Sequence, residues 1–383
     1  MTEGMKTAVQ AVEGKQDRIC QAADQIWEYA ELSLQEFQSA QMYCRMLEEE
    51  GFQVEKGICG IETAFSARFG SGRPVIGILA EYDALSGLSQ EAGSLGQKER
   101  TPGACGHGCG HNLLGAGAFG AAMGVKAYLE QTKQEGTVIL YGCPGEEGGA
   151  AKAFMARDGV WKDLDAALTW HPGDVNEVVT GSSNSCIQTQ YKFSGTASHA
   201  AGAPEKGRSA LDAVELMNIG VQFLREHMGS RARIHYAITD AGGCSPNVVQ
   251  PRASVLYMVR SNHVAEAVEL QARVDRIADG AALMTDTSLE RKFIDGLADT
   301  VSNSVLEQVL YDCFRQLGVP AHTEEELAFA DALAKTYEGG DAARGIAAEN
   351  DENLREQVAQ LQKEAGHAMN DFLAPLYQGD AFT

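Results

Sequence analysis

Basic residues are scarce in this chain: 31 lysines and arginines stand against 53 aspartates and glutamates over 383 residues, a net charge of -22 at pH 7. That balance repels phosphate backbones and anionic headgroups and leaves no basic patch, so nucleic acid is excluded as an expected partner. Long apolar runs are missing as well. No stretch reaches the roughly 18 consecutive apolar residues that span a bilayer, and the opening MTEGMKTAVQAVEGKQDRIC has no apolar secretory core. A cytoplasmic protein without a membrane partner is expected. The nine cysteines, an odd number spread without a tight framework, do not suggest a disulfide scaffold and fit free thiols in a reducing compartment. Most, including Cys20, Cys44, Cys59 and Cys186, are expected to be small buried hydrophobes. Internal repeats and low-complexity tracts are also absent.

What is present is the composition of a soluble enzyme, 44% hydrophobic and 22% charged, on a chain long enough for two cores. Residues 17–50 carry apolar groups at helical spacing, from Trp27 through Leu34, Phe37 and Met42 to Leu47, and close at Gly51, which predicts two amphipathic helices. Buried-strand runs follow at 75–80, 138–141 and 166–170, with a small, apolar crossover helix predicted at 112–130. Strand, helix, strand implies an α/β unit with a parallel or mixed sheet. Near residue 184 the texture changes. Strands at 185–193, 232–238, 253–260 and 287–293, with helices at 207–227 and 265–284, give a βαββαβ order, the ferredoxin-like plan. The expected architecture is a two-domain α/β protein: a mixed- or parallel-sheet catalytic domain from residues 1–183 and 298–383, and an inserted ferredoxin-like domain at 184–297. A solvated acidic helix is expected at 342–364.

Each apolar run of the first domain ends in metal-capable side chains. VIGILA leads to Glu81 and Asp83, VILYG to Cys143, Glu146 and Glu147, and ALTW to His171. In open α/β sheets, sites form at that carboxyl edge. Between the first two runs lies GACGHGCGHNLLG, where Cys105, His107, Cys109 and His111 alternate. Alternate residues of an extended loop advance roughly 6.5 Å per pair, so the four cannot all surround one ion, although two can. A redox role is weak, because CxxxC has little specificity. A third reading joins Cys109 and His111 to Glu147 and His171 from the other strand ends, a donor set suited to a catalytic metal with an open position. Glu146 is then free to act as a base. Adjacent glutamates often mark only a solvated turn, but in CPGEEGG the glycines and proline imply a tight loop. His199 in SGTASHAAGAP reads equally as a structural histidine, Asn247 in GGCSPNVVQP as a turn former, and Arg260 as a surface charge.

The motifs AEYDALSGLSQ, GHGCGHNLLG, YGCPGEEGG, LTWHPG, GTASHAAGAPEKGRSALDAVELM and ITDAGGCSPNVVQ together resemble the co-catalytic metallopeptidase and aminoacylase superfamily, most of all its aminobenzoyl-glutamate hydrolase branch. The resemblance runs almost end to end, from WEYAELSLQEFQSA to EELAFADAL. It implies a metallohydrolase with one or two divalent metals, manganese or zinc, per chain, and an inserted domain that lids the site and dimerises. Carried over by motif, Cys109, His111, Glu147 and His171 are metal ligands, Asp83 orients a ligand from behind, and Glu146 is the general base. His199, reaching from a partner's lid, polarises the carbonyl, while Asn247 and Arg260 grip a substrate carboxylate. Glu81 stands where related branches place a histidine ligand. The implied activity is hydrolysis of an N-acyl or N-aroyl amino acid, aminobenzoyl-glutamate being favoured, with dipeptides or acetylated amino acids as variants of the same chemistry. The alternative is a noncatalytic subunit partnering a related chain, so a homodimer or heterodimer is expected. The family pattern continues past LAPLYQGD to a last ligating histidine that this chain lacks, and His367 in KEAGHAMND does not match it. The chain is therefore expected to be either a fragment or a naturally shortened member that binds one metal, binds metal weakly or has lost catalysis.

Overall fold

The computed structural model describes residues 1–173, 176–178 and 182–336, with Gln360 and Lys363. The helix expected at 342–364 therefore lies, apart from those two residues, outside the described part, as does His367. The α-helices described are α1 (Glu3–Glu13), α2 (Gln16–Tyr29), α3 (Phe37–Glu49), α4 (His111–Thr132), α5 (Ala151–Arg157), α6 (Ala210–Leu224), α7 (Val264–Thr285), α8 (Ser304–Leu317) and α9 (Glu324–Ala334). The strands are β1 (Gln53–Lys56), β2 (Phe65–Ser71), β3 (Val75–Ala80), β4 (Gly136–Gly142), β5 (Ala166–Leu168), β6 (Ser185–Ser194), β7 (Arg233–Asp240), β8 (Arg252–Ser261) and β9 (Ser288–Leu297). No helix among the described residues is long and apolar enough to cross a membrane.

The described residues divide into two compact units, one holding 1–178 with 306–336 and the other 182–305. In the first, the sheet order is β1-β2-β4-β3-β5, with β3 parallel to β4 and β5 and β2 antiparallel to β1 and β4. The sheet is mixed because β2 runs antiparallel to β4 alongside the three parallel strands. The two expected helices of residues 17–50 form as α2 and α3, and α1 precedes them, its first turn capped by the Thr2 side chain.

Parallel strands need a crossover, and α4 provides it. It is apolar nearly all round because it is enclosed, burying Leu114, Phe119, Ala122 and Met123. Ile78, Ala80, Val138 and Leu140 of the sheet share that core. Full burial of Phe119 alone stabilises by about 2–3 kcal/mol. Small residues let the helix approach the strand ends. A side chain on Gly115 would stand 2.7 Å from the carbonyl oxygen of Glu81, so only glycine seats the first turn of α4 there.

The second unit has the order β7-β8-β6-β9, all antiparallel. With α6 and α7 this is the expected ferredoxin-like arrangement, the first and third strands lying central. Tyr191, Phe193, Val255, Tyr257, Met217 and Val274 fill its core. The cysteine expectation fails in part. All nine are free thiols, but only Cys44, Cys143 and Cys186 are buried; Cys20 and Cys244 are exposed, and the others are intermediate. Cys105 and Cys109 sit in a loop, and Cys20 lies on the outer side of α2.

Candidate metal centre

The carboxyl ends of β3, β4 and β5 point the same way, so the segments after them converge with the first residue of α4. Three donors, Cys109, His111 and His171, bring one ligand atom each within 4.8 Å of one another. Glu81, His111 and Glu146 form a second such group, and His111 belongs to both.

The His111 imidazole is fully buried. Its Nδ1 donates to Asp83 Oδ1 at 2.8 Å, which fixes the ring and directs Nε2 away from Asp83. Asp83 also accepts from Ser33 Oγ at 2.7 Å and from the Glu147 backbone N–H at 2.9 Å. Burial alone would raise the Asp83 carboxyl, but these three donors outweigh it and hold the carboxyl below its ordinary value. On the other side, His111 Nε2 and Glu81 Oε2 lie 3.2 Å apart, both buried and without hydrogen-bond partners. Two lone pairs at that distance repel unless positive charge lies between them, whether a proton on the ring or a divalent ion. Burial would push the His111 imidazole down, but the hydrogen bond and charge of Asp83, with the charges of Glu81 and Glu146, outweigh it and raise it above its ordinary value.

Cys109 Sγ lies 3.3 Å from His171 Nε2, while His171 Nδ1 donates to the Pro172 carbonyl at 2.8 Å. His171 Nε2 is thus left facing the thiol. Burial, then the adjacent Glu147 carboxylate, pushes the Cys109 thiol up to about 12, so a neighbouring cation is required to make it a thiolate. A thiol, two imidazoles and several carboxylates, with bare acceptors directed at shared space, fit a divalent transition metal.

Among the expected site residues, Cys109, His111 and His171 are brought together and Asp83 stands behind His111. Glu146 faces the cluster, its Oε2 3.9 Å from His111 Nε2. The Glu147 carboxylate lies against Cys109 but belongs to neither donor group among the described residues; Glu81 and Glu146 are the carboxylates that do. Glu81 also forms an ion pair with Lys152 of α5, a contact not anticipated from GGAAKAF because it depends on the first turn of α5 reaching β3. Ser33 and Glu36 were missed as well, although both lie within the motif AELSLQEF.

His199, Asn247 and Arg260 belong to the second unit. The exposed His199 ring accepts from the Ala201 and Gly202 N–H groups at Nδ1, its backbone bridges Val248, and the Ala200 N–H donates to the Asn247 carbonyl, so His199 and Asn247 are neighbours. Arg260 is elsewhere. It sits at the far end of β8, paired in register with Cys186 and Arg233, with its guanidinium against Met258 Sδ. Eight residues of strand separate it from Arg252, the end that continues from the Asn247 loop, roughly 27 Å at 3.4 Å per residue. The length of β8 thus stands between Arg260 and the Asn247 loop of the same chain.

Glu36 is wholly buried beneath the β4–α5 loop, accepting from the Gly145 N–H at 2.7 Å and Thr63 Oγ1 at 3.1 Å. Burial outweighs these bonds and lifts its carboxyl from 4.5 to about 7. The unfolded chain therefore ionises this group first as pH rises. From about pH 4.5 to 7 the metal-free protein is expected to lose on the order of 3 kcal/mol of stability from Glu36, with no further loss above that window. Urea denaturation in chelator should show this decline in the wild type and not in Glu36→Gln; equal slopes would refute the assignment.

The family model described as peptidase family M20/M25/M40 matches residues 77–369. The chain belongs to that family. It is 48% identical over 346 residues to a p-aminobenzoyl-glutamate hydrolase subunit of Escherichia coli strain K12, a match covering 90% of this chain and 72% of that protein. Among solved structures, an aminobenzoyl-glutamate utilization protein from Klebsiella pneumoniae superposes with a TM-score of 0.64 at 19% identity, covering 80% of this chain and 82% of that one. A dinuclear metal binding peptidase of the M20 family from Bacillus subtilis gives 0.55 at 21% identity, covering 80% and 81%. These two share the fold. The chain is accordingly a hydrolase of the M20 family.

Proposed function

We propose that this M20 chain cleaves the amide bond of an N-acyl or N-aroyl amino acid, with p-aminobenzoyl-glutamate the favoured substrate. The observation that carries the reading is the placement of His111, held from behind by Asp83 and shared by both donor groups. The 48% identity to a p-aminobenzoyl-glutamate hydrolase subunit supports the choice of substrate.

Cys109, His111 and His171 would hold a divalent ion, with Glu81 or Glu147 as the carboxylate donor. When bound, the ion supplies Lewis acidity toward the amide carbonyl and lowers the pKa of water to near neutrality. Softness of the Cys109 sulfur favours zinc, whereas the carboxylates suit manganese equally well. Glu146 takes the proton of the attacking water and returns it to the departing amine, a role consistent with its position on the open side of the cluster. Burial first, then the Glu81 charge, raises its carboxyl above the ordinary value, the direction that suits a proton-accepting base. His199, reaching across from the inserted domain of a partner, contributes a hydrogen bond to the carbonyl oxygen, and Asn247 one to the substrate carboxylate. Arg260 joins Asn247 on that carboxylate only when supplied by another copy of the chain, which is one reason to expect a dimer formed through the inserted domain.

Purified protein supplied with manganese or zinc should release p-aminobenzoate from p-aminobenzoyl-glutamate, and chelator should stop it. The Escherichia coli relative is a subunit by name, which favours a second reading: a supporting chain for a related hydrolase. Activity that emerges only on mixing with such a partner would select that reading, and activity in isolation would exclude it.

A further inference from the structure

Residues 31–36, the turn between α2 and α3, carry no expected ligand, yet they touch both loops that bear the cluster. The Ala84 N–H donates to the Glu31 carbonyl at 2.7 Å and Leu32 bridges Ala84, which docks the turn alongside the segment leaving β3. Ser33 Oγ then reaches Asp83 Oδ2 at 2.7 Å. Of the three donors on that carboxylate, His111, the Glu147 N–H and Ser33, only Ser33 comes from outside the cluster's own loops.

The other half of the turn grips the loop of Glu146 and Glu147. Leu34 adopts φ 63°, a left-handed conformation that costs a leucine roughly 1–2 kcal/mol. In that conformation its side chain seats against two glycines. A Cβ on Gly145 would come 2.8 Å from Leu34 Cδ2, and one on Gly149 would come 2.7 Å from Leu34 Cδ1. Glu36 completes the hold through its bond from the Gly145 N–H, while Thr63, itself fixed by Tyr82 Oη donating to its carbonyl at 2.7 Å, occupies the other carboxyl oxygen.

We propose that this turn is a positioning brace for the metal centre: Ser33 orients His111 through Asp83, and Glu36 with Leu34 orients Glu146 and Glu147 through Gly145 and Gly149. The inference rests on the metal-site reading above. Ser33 and Glu36 are positioning residues, because neither faces the shared space of the donor atoms. Partners that orient ligands from behind typically change metal affinity about 10- to 100-fold when removed.

The experiment measures zinc affinity of full-length protein by competition with a chromophoric chelator, and the absorption spectrum of the cobalt(II)-loaded form. Ser33→Ala removes one hydroxyl and no charge. It should weaken zinc about tenfold and shift the cobalt bands, while the metal-free protein still unfolds cooperatively in urea, destabilised only by the loss of one hydrogen bond to a buried carboxylate. Glu36→Ala should weaken zinc at least as much, and Glu36→Gln, whose amide oxygen can still accept from Gly145, should restore most of the affinity. A merely structural role would lower stability without moving the cobalt spectrum or the Gln-against-Ala contrast. Should Glu36→Ala fail to fold, Ser33→Ala alone decides. Wild-type zinc affinity and an unshifted spectrum in Ser33→Ala would overturn the brace. Wild-type protein that binds neither ion would overturn the metal-site reading and the brace with it.

Discussion

Glu146→Gln keeps its metal and loses its turnover. The expected fall in kcat is about 100- to 10,000-fold, the usual contribution of a positioned proton-transfer group. KM should move little, because the carboxylate acts on the attacking water and not on the bound substrate. The geometry makes the substitution clean. Glu146 is 40% exposed at the side chain, so a glutamine of the same shape creates no cavity, and its 3.9 Å approach to His111 Nε2 leaves the three-donor group of Cys109, His111 and His171 intact. Metal content by atomic emission should therefore equal that of wild type. Turnover surviving in a metal-replete Glu146→Gln protein would remove Glu146 as the base. Loss of metal together with activity would instead make it a ligand, a role its place beside Glu81 and His111 permits.

His111→Ala should have the larger structural effect. The imidazole is fully enclosed between Asp83 and Glu81, two carboxylates that are themselves buried. Removing it leaves both without their shared partner and opens a void at the start of α4. Deleting one member of a buried charged pair costs about 3–5 kcal/mol, a large fraction of the stability of a domain. Both donor groups lose their common member, so zinc should no longer raise the melting temperature as it does for a protein whose folded state binds it. Calorimetry with and without zinc measures both effects. A variant that still gains stability from zinc would show that His111 is not the centre of the site.

How much of this was legible in the sequence depends on where each residue's role resides. β3 and α4 were readable because enclosure makes their side chains continuously apolar, and burial is a property of the residues themselves. β1 was not, since Gln53–Lys56 is polar, mostly exposed and held as a strand only by pairing with β2. Cys109, His111 and His171 could be nominated because the carboxyl edge of a parallel sheet gathers whatever follows its strands. Ser33, Glu36 and Lys152 could not, because a serine, a glutamate and a lysine in such stretches have no signature until the fold places Asp83, Gly145 and Glu81 opposite them.

The position of the bound divalent ion is the most direct test. Zinc-edge anomalous diffraction from zinc-loaded crystals should place its strongest peak about 2.0–2.3 Å from Cys109 Sγ, His111 Nε2 and His171 Nε2. A strongest peak elsewhere in the molecule, with these three side chains unliganded, would contradict it.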